Sequence, residues 1–526
     1  MITAKFFEKI QKYKLDYLAL FVLVGAYFTK IQWNNYIGDP DGFYHTKIAQ
    51  FLSQGIVIKS LPWMKFSTLA NNFTDHHFLY HILLAPFTYF SNPLIGIKVA
   101  TVLFATIMVM IFYWLLKKFN IKYSWVFALL FITLEATIFR LGLVKANALS
   151  LLLIWFLIYA LYNKKYWLSI ILGFIFVWLY GGWPISLIIL ATYLVAEYIY
   201  KKIHSNKLKI FWSKIIHVFH KKPNNNFKIS LSLIVGLILG LVINPYWPNN
   251  IYFYYQQIVQ IGIVNLGQQI TVGGEWYGIN FMTIISSGAH IFVLASIVFV
   301  VLVLNHKIIS RQSWFGFILS FIFLLLTIKS RRYIEYFWPF LLFFTAFGLT
   351  DIIKKFNWSS IKKFWKSLAR LQQLYLGIVG TVFIIFVLVP VWQSIIEAKI
   401  PRNHSIDKFE EASTWLATNT QPQSIILHSD WDEWPILFYQ NDQNYYIIGL
   451  DPTFMYNFDE DLHQKFVSIT TGSTSYNLAK QIRHYFQADY IFVEKNGHEA
   501  LMNNLEKDPD IHLVHNDELS QIYRIK

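Results

Sequence analysis

The chain has 526 residues, is 55% hydrophobic and 19% aromatic, carries only 14% charged residues and has a formal net charge of +15. A soluble protein carries about a quarter of its residues as charges, so this composition excludes an ordinary soluble domain. The absence of cysteine excludes disulfides, thiolate metal sites and a cysteine nucleophile.

Apolar runs of roughly 16 to 24 residues recur along the chain, long enough to cross a bilayer core. Examples are "LDYLALFVLVGAYFTKI" (15–31), "LIGIKVATVLFATIMVMIFYWLL" (94–116) and "LQQLYLGIVGTVFIIFVLVPVW" (371–392). The basic segment 1–14 precedes a run too long for a signal peptide and without a small-residue cleavage site, so that run is read as the first membrane helix. Lys5, Lys9, Lys12 and Lys14 place the N-terminus in the cytoplasm by the positive-inside rule. The segment 77–90, short and interrupted by Pro86, is expected to lie along the outer surface. That single choice returns five basic segments to the cytoplasm, at 117–122, 163–165, 201–222, 305–311 and 354–366. The excess positive charge then belongs to topology and anionic headgroups, and no nucleic acid is expected as partner. About eleven crossings result, within a range of 11–13, with long external loops at 33–93 and 245–280 and a short external turn at 140–146.

After about residue 398 the composition turns polar and short helical patterns alternate with short strands, at "SIILHS", "YYIIGL" and "YIFVEK". Residues 1–398 are therefore read as the membrane domain and 399–526 as a soluble extracytoplasmic α/β domain.

The ionisable residues gather at the outer face. In "GDPDGFYHTKIAQF" Asp39 and Asp41 open a helical pattern, where one acid serves as an N-cap and a second invites a chemical role. "TDHHFLYH" (74–81) sets Asp75 before a helix, with His77 and His81 one turn apart, which suits either a capped helix or a divalent ion. In "GQQITVGGEWYG" (267–278) Glu275 is the lone acid of a Gly-rich loop able to close on a substrate or simply to be solvated. "KSRRYIEYFWPF" (329–340) places Lys329, Arg331 and Arg332 at the external end of a span, against the positive-inside trend. Snorkelling accounts for an arginine there, and an anionic lipid phosphate accounts for three cations. "HSDWDEWP" (428–435) gathers Trp431, Asp432 and Glu433 at a strand-to-helix junction, as a binding or membrane-docking surface.

Taken in order, these segments resemble the catalytic subunit of oligosaccharyltransferases, within the GT-C class of membrane glycosyltransferases. Asp41 with "GFYH" resembles that family's first acidic motif, "TVGGE" a loosened Thr-Ile-x-Glu motif, "RRYIEYFWP" its arginine segment and "SDWDEWP" a degenerate Trp-Trp-Asp motif. The second acidic motif is replaced: in "RLGLVKANALSL" the acids become Lys145 and Asn147.

The resemblance implies sugar or oligosaccharide transfer from a polyprenyl-(di)phosphate donor to a protein, lipid or glycan acceptor outside the plasma (inner) membrane. It implies Asp41 and Glu275 as catalytic, with Arg332, Arg331 and Lys145 on the donor phosphate. Trp431, Asp432 and Glu433 are the implied acceptor contacts. A divalent metal, Mg²⁺ or Mn²⁺, is expected on Asp41 with Asp75 and His76, unless Lys145 meets the phosphate in the ion's place. A rival enzyme class uses a polyprenyl-monophosphate sugar to modify lipid or glycan. The non-enzyme rival, a transporter or lipid-binding protein, calls for charges or broken helices at mid-span, where this sequence has few.

Overall fold

A computed structural model of the chain describes residues 14–204, 225–355, 358–397, 399 and 402–526. Most of the N-terminal lysines and most of the basic stretch 201–222 lie outside the described residues. The membrane part is helical, because only a helix satisfies every backbone group within one apolar segment. α1 (Leu15–Gln32) is followed by a short strand β1 (Tyr36–Ile37), α2 (Asp41–Ser53), α3 (Phe78–Leu84) and α4 (Pro93–Lys118). Next come α5 (Ser124–Phe131), α6 (Glu135–Gly142), α7 (Asn147–Tyr162), α8 (Tyr166–Leu179), α9 (Ile185–His204) and α10 (Asn225–Val242). The second half carries α11 (Asn249–Tyr254), a π-helical segment over Tyr255–Val264, α12 (Phe281–Ser286), α13 (Ala289–Leu304), α14 (Arg311–Lys329) and α15 (Ile334–Lys355). α16 (Trp358–Ser367) and α17 (Arg370–Glu397) lead to the C-terminal domain.

Among the described residues, α1, α4, α10, α14 and the segment Arg331–Lys355 are each long and apolar enough to cross a membrane. α5 and α6, bent by 69° at their break, make a sixth candidate. α7, α8 and α13 are apolar but shorter; the 16 residues of α7 reach about 24 Å at the helical rise. The eleven crossings expected from sequence counted such helices as whole spans. α3 has seven residues and runs into a 3-10 turn at Ala85–Tyr89, too short for a crossing by length.

Small residues set one of the closest helix contacts. A Cβ on Gly236 would lie 2.1 Å from the Ile170 carbonyl oxygen, and one on Gly173 would lie 2.8 Å from that of Leu233. α8 and α10 therefore meet backbone to backbone, as small-residue interfaces in membranes do.

The C-terminal domain is a five-stranded sheet in the order β4-β3-β5-β7-β6, made of β3 (Ile425–His428), β4 (Tyr445–Tyr446), β5 (Tyr490–Glu494), β6 (Ile511–Asn516) and β7 (Ser520–Ile525). β4, β3 and β5 are parallel, and β7 and β6 join antiparallel. The three strands expected from sequence correspond to β3, β4 and β5; the terminal hairpin was not foreseen. β2 (His404–Ser405) pairs antiparallel with β1, so the domain is stitched to the segment between α1 and α2. Trp434 Nε1 donates to the Trp63 carbonyl at 2.8 Å, Trp63 Nε1 donates to that of Asp442 at 2.7 Å, and Lys47 pairs with Asp442 at 3.0 Å. These contacts place the domain over the cavity that α2 and α6 line from below.

Candidate active site

Ends of these elements converge on a cavity of about 120 Å³. α2 begins just after Pro40, and its first turn turns Asp41 inward; Asp41 and His45, four residues apart, share the helix face that borders the cavity. Opposite them, α6 ends at Gly142 and the turn before α7 brings in Lys145. Lys145 Nζ lies 3.0 Å from Asp39 Oδ2 and 2.9 Å from Asp41 Oδ2. Burial disfavours the ammonium, yet Asp39, Asp41 and Glu275 raise Lys145 above its ordinary value. Burial pushes the Asp41 carboxyl up, Lys145 opposes this, and with Asp39 beside it Asp41 settles at about 6.

A second charge cluster closes the cavity. Arg140 Nη1 donates to Glu275 Oε2 at 2.6 Å and its Nε donates to Glu335 Oε2 at 2.8 Å, where Asn147 Nδ2 also donates at 3.0 Å. Arg332 Nη1 is 3.5 Å from Glu275 Oε1, and its guanidinium lies 4.1 Å from the Trp276 ring centroid. Burial alone would raise the Glu275 carboxyl, but Arg140, Arg332 and Lys145 hold it well below the usual carboxylate range. Arg332 is thus the looser of the two guanidinium partners of Glu275, seated on an aromatic face rather than locked in a bidentate pair.

Sequence reasoning named Asp41, Glu275, Arg332, Lys145 and His76, and all five line this cavity. Arg331, Trp431 and Asp432 instead border a wider adjoining groove of about 940 Å³, which Asp41, Lys145, Glu275 and Arg332 also reach. Asp430 and Trp431 follow the carboxyl end of β3, the usual place for functional loops on parallel strands. Arg140 went unremarked in the sequence because its acidic partners lie 135 and 195 positions away.

Two expectations need correction. Glu433, expected at the acceptor, is 1% exposed and accepts a hydrogen bond from Ser429 Oγ. Burial pushes its carboxyl up to about 8, so it is a neutral core group. In the window between the ordinary glutamate value of about 4.3 and that value, the folded chain binds the extra proton, and stability falls as pH rises. Glu433→Gln should therefore gain thermal stability over the parent progressively from about pH 4.5 to pH 8, as read by thermal unfolding in detergent.

The expected ion site on Asp41, Asp75 and His76 does not form either. Asp75 is 3% exposed, and it accepts from the His77 backbone N–H at 2.9 Å and contacts His81 Nδ1 at 2.7 Å. His76 stacks on Phe253 at 4.9 Å, and its Nδ1 is buried without a partner. Among the described residues no group of three or more His, Asp or Glu side chains is disposed to hold a metal. The two carboxylates nearest one another, Asp39 and Asp41, already share a single ammonium. This donor set does not fit a divalent ion.

No sequence-family model matches the chain, and no curated protein does. Solved structures do. The archaeal oligosaccharyltransferase AglB from Archaeoglobus fulgidus, in complex with an inhibitory peptide and a dolichol-phosphate, superposes with a TM-score of 0.60 at 12% identity, over 92% of this chain and 70% of that one. ArnT from Cupriavidus metallidurans in the apo state gives 0.56 at 9% identity, over 98% of both chains. The arabinofuranosyltransferase AftD from Mycobacteria gives 0.50 at 11% identity, over 97% of this chain but 40% of that one. The chain has the fold of the GT-C membrane glycosyltransferases. It combines a helical membrane part with a C-terminal sheet domain.

Proposed function

We propose that the chain is a glycosyltransferase of the plasma (inner) membrane, with its N-terminus cytoplasmic and its C-terminal domain outside. It moves a sugar or oligosaccharide from a polyprenyl-(di)phosphate donor to a protein, lipid or glycan acceptor. The observation that carries this reading is the convergence of Arg140, Lys145 and Arg332 on one cavity at the outer face, within a fold shared with AglB, ArnT and AftD. Three cations drawn into one cavity, Arg140 buried and Lys145 and Arg332 partly so, suit an anionic headgroup whose tail stays in lipid.

Arg332 has the weakest hold on its carboxylate, at 3.5 Å, so a donor phosphate exchanges for Glu275 there, with Arg331 at the groove entrance. Glu275, carried beside Gly273 and Gly274, then closes towards the acceptor. Asp41 orients the nucleophilic group of the acceptor and, with Asp39, fixes Lys145. The Lys145 ammonium meets the charge that develops on the departing phosphate, the larger electrostatic requirement of the reaction. No divalent ion enters this scheme, because its carboxylates are already matched. Trp431 and Asp432 line the groove through which the acceptor approaches.

A polyprenyl-monophosphate donor is the second reading. It is favoured by Lys145 and Asn147, which stand where the oligosaccharyltransferase pattern has acids, and by overlap with ArnT along the full length of both chains. Asp41→Asn should abolish transfer while leaving donor-lipid binding intact, as followed by single-turnover release of polyprenyl phosphate in nanodiscs. Parent-like turnover in that variant sinks the assignment of Asp41.

A further inference from the structure

One buried chain of polar side chains near the cavity has no part in the scheme above. Asp75 sits in the turn before α3, its Oδ1 held by the His77 N–H at 2.9 Å. Its Oδ2 lies 2.7 Å from His81 Nδ1, and His81 Nε2 lies 2.7 Å from His45 Nδ1. All three residues are nearly inaccessible: Asp75 is 3% exposed, His81 0% and His45 3%. Of the three only His45 lines the cavity, four residues along α2 from Asp41.

Hydrogen-bond accounting fixes the proton positions. An ionised Asp75 can only accept, so His81 Nδ1 carries a proton and donates to it. In a neutral His81, Nε2 is then the acceptor, and His45 Nδ1–H donates to it. His45 is left with a lone pair on Nε2, which has no hydrogen-bond partner among the described residues. A cavity-facing imidazole with a free lone pair, backed by a second imidazole and a carboxylate, is the arrangement of a general base.

We propose that His45 accepts the proton of the acceptor nucleophile during glycosyl transfer, and that His81 and Asp75 are positioning residues that take up the resulting positive charge. This deepens the transferase reading and rests on it. The acceptor O–H or N–H heteroatom forms its bond to the anomeric carbon as the bond from that carbon to the donor phosphate oxygen breaks, and the bonding pair leaves with the phosphate. The acceptor proton goes to His45 Nε2. The proton on His45 Nδ1 shifts to His81 Nε2, which leaves an imidazolium at His81 in direct contact with the Asp75 carboxylate. The proton returns along the same path to the released phosphate.

The surroundings of His45 favour passing the proton on. Burial, with His81, His77, Lys145 and His76 around it, holds its imidazole well below the ordinary histidine range, whereas His81 has the carboxylate beside it. The other groups packed on the ring are Tyr44 at 5.2 Å and Tyr80 at 5.4 Å between centroids. Neither competes as a base at neutral pH, since burial raises both phenols far above their usual value. With a base at His45, Asp41 keeps its contact with Lys145 throughout the reaction.

The test compares the full-length parent with His45→Ala, Asp75→Asn and the double variant in nanodiscs, at saturating polyprenyl-phosphate-linked sugar. Undecaprenyl phosphate binding is measured separately on each. His45→Ala should lose about 10²- to 10⁴-fold in single-turnover rate, the usual worth of a general base, with undecaprenyl phosphate affinity unchanged. Added imidazoles should restore part of the rate, more so as their basicity rises. Asp75→Asn should slow transfer on its own, yet cost nothing further when added to His45→Ala, because both act through one group. His45→Ala at the parent rate, or losses in the double variant that simply multiply, would overturn the relay alone. A parent that neither binds undecaprenyl phosphate nor turns over a lipid-linked sugar would overturn the transferase reading and the relay with it.

Discussion

Arg332→Ala should lose donor binding almost completely while leaving the chain folded. The guanidinium sits at the head of the segment entering α15, 4.1 Å over the Trp276 ring and 3.5 Å from Glu275. A phosphate arriving there gains a charge-assisted contact in a site shielded from water. Truncating one partner of such a buried charge pair costs about 2 to 5 kcal/mol, or roughly 30-fold to several-thousand-fold in affinity. Arg332→Lys should recover only a fraction, since an ammonium neither forks onto a phosphate nor stacks as flat on an indole. The fold should survive, because Glu275 keeps Arg140 at 2.6 Å. Equilibrium binding of polyprenyl phosphate to the solubilised chain reads the effect, and an Arg332→Ala affinity within about threefold of the parent would remove Arg332 from the donor site.

Lys145→Ala should produce a large loss of turnover, and one that magnesium partly restores. A single ammonium lies between Asp39 and Asp41, at 3.0 and 2.9 Å. Removing it leaves two facing carboxylates in a buried pocket, which repel each other and raise their proton affinity. The developing phosphate charge loses one of its fixed cations at the same time, an effect worth about 10²- to 10³-fold when one such stabilising group is deleted. The same two carboxylates, once unoccupied, become ordinary oxygen ligands for a hard cation. Millimolar Mg²⁺ or Mn²⁺ should then raise the rate of Lys145→Ala but not that of the parent, and chelators should leave the parent untouched. A parent silenced by EDTA and revived by Mg²⁺ would contradict the reading of Lys145 as the neutralising cation.

Much of the site was legible because its residues break local rules. Asp41 is one acid more than a helix cap requires, Lys145 is a cation in a turn expected to be external, and Arg332 runs against the expected positive-inside trend. Each departure is visible within a few positions of sequence. The pairings were not, because they are set by packing between elements far apart in the chain. Arg140 looks like an ordinary polar residue of the short helix α6 until α15 and the segment at 274–276 deliver Glu335 and Glu275 to it. Asp75 and His76 illustrate the opposite error. As neighbours in sequence they suggested one ion, but the turn sends Asp75 to His81 and His76 to Phe253. His45 shares a helix face with Asp41, a weak local signal, and acquires meaning only when His81 meets it.

The fold followed the same pattern. Hydropathy marked the long spans, whereas the short helices α7, α8 and α13 and the terminal β6–β7 hairpin depend on neighbours to complete them. In the C-terminal domain alternation located β3 and β5, but Glu433, polar in sequence, proved to be core because burial and Ser429 take up its carboxyl group.

The most direct test of the account is mass spectrometry of the lipid that co-purifies with the full chain and with Arg332→Ala. The account predicts a polyprenyl phosphate, or its sugar-bearing form, with the parent and its disappearance from the variant. Bulk phospholipid alone in both preparations, from membranes that contain polyprenyl phosphates, would contradict it.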